Sequence, residues 1–186
     1  MKILALDVST KTGWALFDTL LANPLVKYGN ILVKIEEFNV MHPEKSLKYP
    51  YNMVDAADKL ANLISNLCIE HNPDIVIIEN TVKGKNRHTQ RVLEFFHKSI
   101  LDLLRKFKVQ YVNPSDWRSN IGMVLSPDDV LNNKLVSKGK KRGRITKKHL
   151  AVRYVKERFN IDLLMKQNDI ADAICIGYSH VQSNLS

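Results

Sequence analysis

The stretch KILALDVS, residues 2–9, decides the fold. It is a mostly apolar run that ends in a carboxylate, Asp7, and a Lys-Thr-Gly turn follows it. Such a run predicts a buried strand. The segment TGWALFD, residues 12–18, predicts a second strand that returns antiparallel, and LVKYGNILVKI, residues 25–35, predicts a third. The chain is therefore expected to begin with an antiparallel meander.

Helices and short strands alternate after this meander. Apolar residues at intervals of three and four predict a helix from Tyr51 to about His71, which Asn72-Pro73 ends. The β-branched run DIVIIEN, residues 74–80, predicts a strand buried on both faces. A helix is predicted next, from about Gln90 to Phe107, and then a strand in VQYVNPSDW that Pro114 stops. A polar loop is expected from Trp117 to Thr146, and helical spacing returns at 146–159 and 168–181. This order predicts an α/β fold in one domain over residues 1–186, with a mixed five-stranded sheet, an antiparallel meander then parallel strands, flanked by helices.

The chain is strongly basic. Its 186 residues carry 28 Lys and Arg against 19 Asp and Glu, a net charge of +9. The excess lies in KGKNR, residues 83–87, and in KGKKRGRITKK, residues 138–148, which includes Lys140, Lys141, Arg142 and Arg144. Clustered cations of this kind favour contact with a polyphosphate. The alternatives are a solvated loop and a localisation tract.

Two cysteines and the apolar patterning exclude several classes. Cys68 and Cys175 lie in helical patterns and are too few for a disulfide framework or a zinc cage, so we expect both to be reduced core residues. The apolar run at the start is broken by Asp7 and is too short for a secretory segment. No stretch approaches about 20 uninterrupted apolar residues. We expect a soluble, cytoplasmic protein with no membrane partner.

Asp7 and Glu79 occupy equivalent places in two predicted strands. Each follows an apolar run and lies at or near the carboxyl end of its strand, which is where sites gather in open α/β sheets. A carboxylate in such surroundings is costly to bury unless a cation or strong donors stabilise it. Each could instead cap a turn or accept backbone hydrogen bonds.

Asp169 and Asp172 lie three residues apart at the start of the last predicted helix, on one face of its first turn. Capping and the helix dipole account for one of them. They account less well for Asp172, which lies within an apolar stretch. A helix so apolar must pack on the sheet, and its first turn would then approach Asp7 and Glu79.

Four converging carboxylates cannot all ionise cheaply without cations. An all-oxygen set of ligands favours Mg²⁺ or Mn²⁺ over zinc. Two such ions can activate water and stabilise the leaving oxygen in phosphodiester hydrolysis. The residues alone thus indicate a nuclease, in which cations hold the DNA backbone and carboxylates hold catalytic ions.

Three motifs carry a resemblance to a known family. LALDVSTKTGWA around Asp7, IVIIEN around Glu79 and QNDIADAICIGY around Asp169 and Asp172 resemble the RuvC-type Holliday junction resolvases of the RNase H-like superfamily. The segment VNPSDWRSNIG, residues 112–122, is similar to phage-type members of that family. Val8-Ser9 stands where many resolvases carry Pro-Gly. The resemblance implies an RNase H-like fold, two Mg²⁺ ions on the four carboxylates, with Mn²⁺ as a substitute, and a homodimer that makes paired symmetrical nicks in a four-way junction.

The resemblance also implies DNA contacts. The segment after Glu79 would approach the junction, which makes Lys83, Lys85 and Arg87 candidate contacts, while Phe95 and Phe96 would serve in stacking or dimer packing or simply belong to the core. Basic residues near the cut phosphate correspond loosely to Arg118 and to Lys147 or Lys148. His180 is a candidate proton shuttle or an ordinary edge histidine.

Three other functions remain open on sequence. A nuclease of the same fold that cuts RNA:DNA hybrids or other branched DNA would share the carboxylates. An ATPase of the actin and sugar-kinase fold would need later glycine-rich phosphate loops, which this chain does not show. A non-catalytic DNA-binding relative would be expected to lack at least one of the four carboxylates.

Overall fold

The computed structural model describes residues 1–35, 48–80, 87–139 and 143–184. The strands in these ranges are β1 (Lys2–Asp7), β2 (Lys11–Asp18), β3 (Leu25–Leu32), β4 (Ile75–Glu79) and β5 (Val109–Val112). The helices are α1 (Tyr51–His71), α2 (Arg87–Leu103), α3 (Pro114–Asn120), α4 (Pro127–Ser137), α5 (Lys147–Phe159) and α6 (Asn168–Ser183). A 3₁₀ turn, Met165–Gln167, leads directly into α6.

The strands form one mixed sheet in the order β3-β2-β1-β4-β5. β1 pairs antiparallel with β2, and β2 pairs antiparallel with β3, as the predicted meander requires. β4 lies parallel to β1, and β5 lies parallel to β4. The predicted mixed five-stranded sheet flanked by helices is confirmed.

Each face of the sheet carries its own apolar core, because side chains alternate along a strand. On one face, Ile3 and Ala5 of β1 pack with residues of α5 and α6 and with Trp117 of α3. On the other face, Leu4 and Leu6 pack with α1 and α2. β1 is thus central in both layers, and the side chain of Asp7 continues the face that α6 covers.

Helix α6 lies unusually close to the sheet. Eleven of its 16 residues are buried, and a methyl group added at Gly177 would overlap the ring of Phe17 and come within 2.9 Å of the Ala5 Cβ. This glycine therefore allows the helix backbone to approach β1 and β2. The close approach fixes where the first turn of α6 lies.

The prediction of a loop from Trp117 to Thr146 was wrong in two places. Pro114 does not merely stop a strand but begins α3, and α4 occupies Pro127–Ser137. The start of α4 has a clear local cause, a capping box between Ser126 and Asp129 with Pro127 in the first turn. The helix was missed because it is held by polar contacts and lacks an apolar stripe. Arg153 of α5 donates two hydrogen bonds of 2.9 Å to the buried carboxylate of Asp129.

The remaining boundaries differ little from expectation. Helix α1 ends at His71, and Asn72 closes it in the left-handed conformation with φ 45°. Helix α2 starts three residues before the predicted Gln90 and ends at Leu103, before the predicted Phe107. Both cysteines are free and buried, as expected. Within the described ranges, no helix has the length and apolar character needed to cross a membrane.

Candidate metal centre

Asp7 and Glu79 end two neighbouring parallel strands. Leu6 of β1 lies opposite Ile78 of β4, so the next residues along the strands, Asp7 and Glu79, end side by side. Ile77 belongs to the core under α6, and two residues further along the strand Glu79 faces the same way. Strand pairing therefore places both carboxylates on the face of the sheet that α6 covers.

Gly13 allows the first turn of α6 to lie at the strand ends that carry Asp7 and Glu79. It pairs with Asp7 across β1 and β2. A methyl group at Gly13 would overlap the backbone carbonyl of Asp169, so only glycine permits this contact. Asp169 and Asp172 consequently enter the site from α6, and Asp172 is only 7% exposed. These contacts bring the first turn of α6 to the strand ends that carry Asp7 and Glu79.

The electrostatics identify the four carboxylates as one cluster. Burial raises the pKa of Asp7 well above its usual value, and repulsion from Asp172, Glu79 and Asp169 raises it further. Burial, with repulsion from Glu79 and Asp169, raises the pKa of Asp172 to about 7. In both residues, repulsion from neighbouring carboxylates adds to the effect of burial. Their negative charges are therefore close enough to oppose one another.

Glu79 has neighbours that favour its charged form. Burial raises its pKa, and this effect is opposed by Arg118, the indole N–H of Trp117 and Lys147. The guanidinium of Arg118 lies 3.5 Å from Glu79 Oε1, donates to the Pro114 carbonyl at 3.2 Å and stacks 4.3 Å from the Trp117 ring. The buried indole N–H of Trp117 affects Glu79 electrostatically, although it does not meet the geometric criteria for a hydrogen bond to any acceptor. Arg118 is thus held at the cluster by three contacts.

Two further cations approach the cluster from other elements. Lys148, in the first turn of α5, opposes the raised pKa of both Asp7 and Asp172. Lys11, the first residue of β2, forms an ion pair with Asp169 with 3.0 Å between Nζ and Oδ2. The sequence interpretation missed Lys11. Its signal was its position two residues before Gly13, in the same motif as Asp7.

The donor set fits a divalent cation by its chemistry. Four carboxylates supply hard oxygen ligands, and their mutual repulsion is the kind of strain that a bound cation relieves. As they stand, no three Asp, Glu, His or Cys side chains in the described part of the chain are arranged closely enough to hold an ion. Asp169 is instead engaged by Lys11, and Glu79 lies beside Arg118. Metal binding would therefore require rearrangement of these two side chains.

The predicted DNA contacts are only partly placed by the structure. Lys147 and Lys148 begin α5 next to the carboxylates, and Arg118 lies at Glu79. Arg144, Lys147 and Arg118 line a cavity of about 420 Å³ whose walls include Met123 and Leu150. Arg87 is exposed at the start of α2. The candidate contacts outside the described residues are Lys83, Lys85, Lys140, Lys141 and Arg142.

The aromatic and histidine candidates have ordinary surroundings. Phe96 is fully buried in the core under α1 and α2, and Phe95 packs partly against it. His180 lines a different cavity, of about 430 Å³, between α3, β5 and the end of α6. Burial and the nearby Lys108 lower the pKa of His180. None of the described contacts links His180 to the carboxylate cluster.

Comparison with known proteins shows similarity in structure alone. No protein-family model matches the chain, and no curated protein matches it in sequence. The Thermus thermophilus RuvC structure with a Holliday junction substrate superposes with a TM-score of 0.66 at 10% identity, covering 100% of this chain and 95% of that one. The yeast mitochondrial Holliday junction resolvase Ydc2 gives 0.55 at 16% identity, covering 98% and 79%. The fowlpox virus resolvase with Holliday junction DNA gives 0.51 at 15% identity, covering all of both chains. The chain therefore has the RNase H-like fold of the RuvC-type Holliday junction resolvases.

Proposed function

We propose that this chain is a metal-dependent endonuclease that resolves four-way DNA junctions. The observation that carries the proposal is the cluster of Asp7, Glu79, Asp169 and Asp172 at one edge of the sheet, with cations from three other elements around it. The fold neighbours from Thermus and fowlpox virus were solved with Holliday junction DNA, which supports the same substrate here.

The proposed site combines two tasks. Asp7, Glu79, Asp169 and Asp172 would hold Mg²⁺, in two sites that Mn²⁺ could also occupy, and the bound ions would supply Lewis-acid activation of water and stabilisation of the leaving oxygen. Arg118, Lys147 and Lys148 would hold the phosphate that is cut. Burial at the sheet edge excludes water from the carboxylates and strengthens their interaction with any cation that enters.

A homodimer would match the symmetry of the substrate. A four-way junction has approximate two-fold symmetry, so two copies related by a two-fold axis would present equivalent sites to two strands. Paired symmetrical nicks would follow from that arrangement. Phosphate contacts would then provide affinity, and the shape of the branch would provide selectivity.

The direct test is a comparison of substrates. The purified protein is incubated with end-labelled four-way junction, linear duplex and RNA:DNA hybrid, each with Mg²⁺ and with EDTA. We expect Mg²⁺-dependent, symmetrically paired nicks confined to the junction. Cleavage mainly of the hybrid or the duplex would keep a nuclease but replace the substrate. No metal-dependent cleavage of any of the three would reject the proposal.

Neutralising the basic start of α5 should weaken DNA binding in a salt-dependent way. If Lys147 and Lys148 each neutralise one phosphate, Lys147→Ala and Lys148→Ala should each make the slope of log affinity against log salt shallower by about 0.9. Junction binding is measured in EDTA across a range of NaCl concentrations. Lys156→Ala is the matched control, since Lys156 lies in the last turn of α5 and pairs with Asp162. Equal slopes for all proteins would remove the first turn of α5 from the DNA interface.

A further inference from the structure

Lys11 is a cation built into the carboxylate cluster. Its ammonium lies 3.0 Å from Asp169 Oδ2 and also donates to the backbone carbonyl of Lys166. The side chain of Asp169 is only 14% exposed, and that of Lys11 is 33% exposed. The pair is therefore partly accessible from solvent, on the Lys11 side.

The turn between β1 and β2 fixes the backbone of Lys11. The hydroxyl of Thr12, which is fully buried, accepts from the Ser9 amide at 3.1 Å and donates to the Ser9 carbonyl at 2.7 Å. The Lys11 amide in turn donates to Ser9 Oγ at 3.1 Å. Because this turn directly follows Asp7, the base of the Lys11 side chain is held at a set distance from the cluster.

The other end of the contact is equally well placed. Lys166 belongs to the 3₁₀ turn that leads into α6, and the start of α6 is pressed against Gly13. Lys11 therefore joins the β1–β2 turn to the start of α6 through both a carboxylate and a carbonyl. Its positive charge thus lies against one of the four carboxylates.

We propose that Lys11 is the internal counter-cation of this site and competes with the divalent metal for Asp169. In the metal-free protein the Lys11 ammonium forms an ion pair with the Asp169 carboxylate. When a divalent ion binds, the two exchange, and Lys11 turns to solvent or to a DNA phosphate. The inference rests on the proposed metal-dependent function, and it explains why Asp169 is directed at a lysine in this arrangement.

The competition should be visible as altered metal affinity. A partly exposed ion pair is a weak competitor, so its loss should tighten metal binding by about 3- to 5-fold. If Lys11 served only to hold the turn and α6 together, its replacement would lower stability and leave metal affinity unchanged. If it served only as a DNA contact, metal affinity without DNA would again be unchanged.

The test is calorimetric titration of Mn²⁺ into the full chain at pH 8 without DNA. Lys11→Met is expected to bind Mn²⁺ about 3- to 5-fold more tightly than the natural protein. Lys11→Arg, which keeps the charge, should remain close to the natural affinity. Lys27→Met is the control, since Lys27 pairs with the exposed Glu70 at 3.3 Å. Lys27 lies near the start of β3, whereas Lys11 pairs across the sheet with Leu32 at the end of β3.

A second measurement covers the case in which Lys11→Met does not fold. In the natural protein, the side-chain NMR signal of Lys11, assigned with Lys11→Arg, should move during a Mg²⁺ titration with the same midpoint as metal binding. A signal that stays in place while Mg²⁺ binds overturns the inference alone, as does equal Mn²⁺ affinity of Lys11→Met. If the natural protein binds no Mn²⁺ or Mg²⁺ at millimolar concentration, the inference and the metal-dependent function both fall.

Discussion

Asp172→Asn is expected to make the metal-free protein more stable at pH 8 while it lowers junction cleavage by at least about 10³-fold. The loss of cleavage follows because a metal ligand contributes several kcal/mol of transition-state stabilisation, and each 1.36 kcal/mol is tenfold in rate. The gain in stability follows from the cluster itself. Burial and the repulsion from Glu79 and Asp169 raise the pKa of Asp172 to about 7.

The sign of the stability effect depends on pH. Below its unfolded pKa, near 3.8, Asp172 is protonated in both states and imposes no penalty. As pH rises from about 4 to about 7, the folded state retains a proton that the unfolded state has lost, so this carboxyl reduces stability progressively. Above pH 7 the full penalty is present, on the order of 4 kcal/mol for a shift of about three pKa units. Asparagine carries no such charge.

The measurement is thermal unfolding of both proteins in EDTA at pH 5 and pH 8. We expect a Tm for Asp172→Asn several degrees higher than that of the natural protein at pH 8, and a much smaller difference at pH 5. Adding Mg²⁺ at pH 8 should raise the Tm of the natural protein more than that of the variant, since ligands stabilise the state that binds them. Asp162→Asn is the control, because Asp162 is exposed and pairs only with the exposed Lys156 among its described contacts.

Two outcomes would contradict this account. Near-natural cleavage by Asp172→Asn would remove Asp172 from the metal site. The second is a difference in Tm, variant minus natural protein, that is lower at pH 8 than at pH 5. It would mean that the charged Asp172 carboxylate makes favourable contacts that outweigh its burial and its repulsion from Glu79 and Asp169.

The sheet and the carboxylates could be predicted because their signals are local. An apolar run that ends in an acid identifies Asp7 and Glu79, and the apolar stretch around Asp172 requires α6 to pack on the sheet. Two strands and a helix that each place an acid at one end leave few arrangements open. The pattern therefore predicts that the first turn of the last helix approaches the strand ends that carry Asp7 and Glu79.

Helix α4 starts at a local capping box, but the contacts that hold the rest of it, like the contact of Lys11 with Asp169, join residues that are distant in sequence. Helix α4 is tied down by Arg153 of α5 and by hydrogen bonds of Asn133 with the backbone of Ile145, at 2.8 and 2.9 Å. Polar contacts of this kind leave no periodic apolar trace. Lys11 belongs to the first motif, yet its partner Asp169 lies 158 residues later. One sequence shows that Lys11 is near Asp7 but not which carboxylate it contacts.

Gly13→Ala is expected to displace the start of α6 and so to damage both stability and catalysis. The added methyl would overlap the backbone carbonyl of Asp169 and lie 2.8 Å from the amide nitrogen of Ile170. A clash with backbone cannot be relieved by rotating a side chain, so the cost should reach about 3 kcal/mol, the upper part of the range for overpacking. Since a shift of about 1 Å can cost about 100-fold in rate, cleavage should fall by about that factor even below the Tm of the variant.

Gly29→Ala distinguishes this effect from a general intolerance of alanine in the meander. Gly29 lies on the neighbouring strand β3, and the nearest atoms to a methyl there would be those of the Trp14 ring at 3.1 Å, a contact that a shift of a few tenths of an ångström relieves. We expect Gly29→Ala to keep cleavage within a few-fold of the natural rate. Both variants are compared with the natural protein in three measurements. These are thermal unfolding, junction cleavage at 20 °C and calorimetric titration with Mn²⁺. If Gly13→Ala loses stability but keeps its Mn²⁺ affinity and cleavage, the position of Asp169 at this edge does not govern the site.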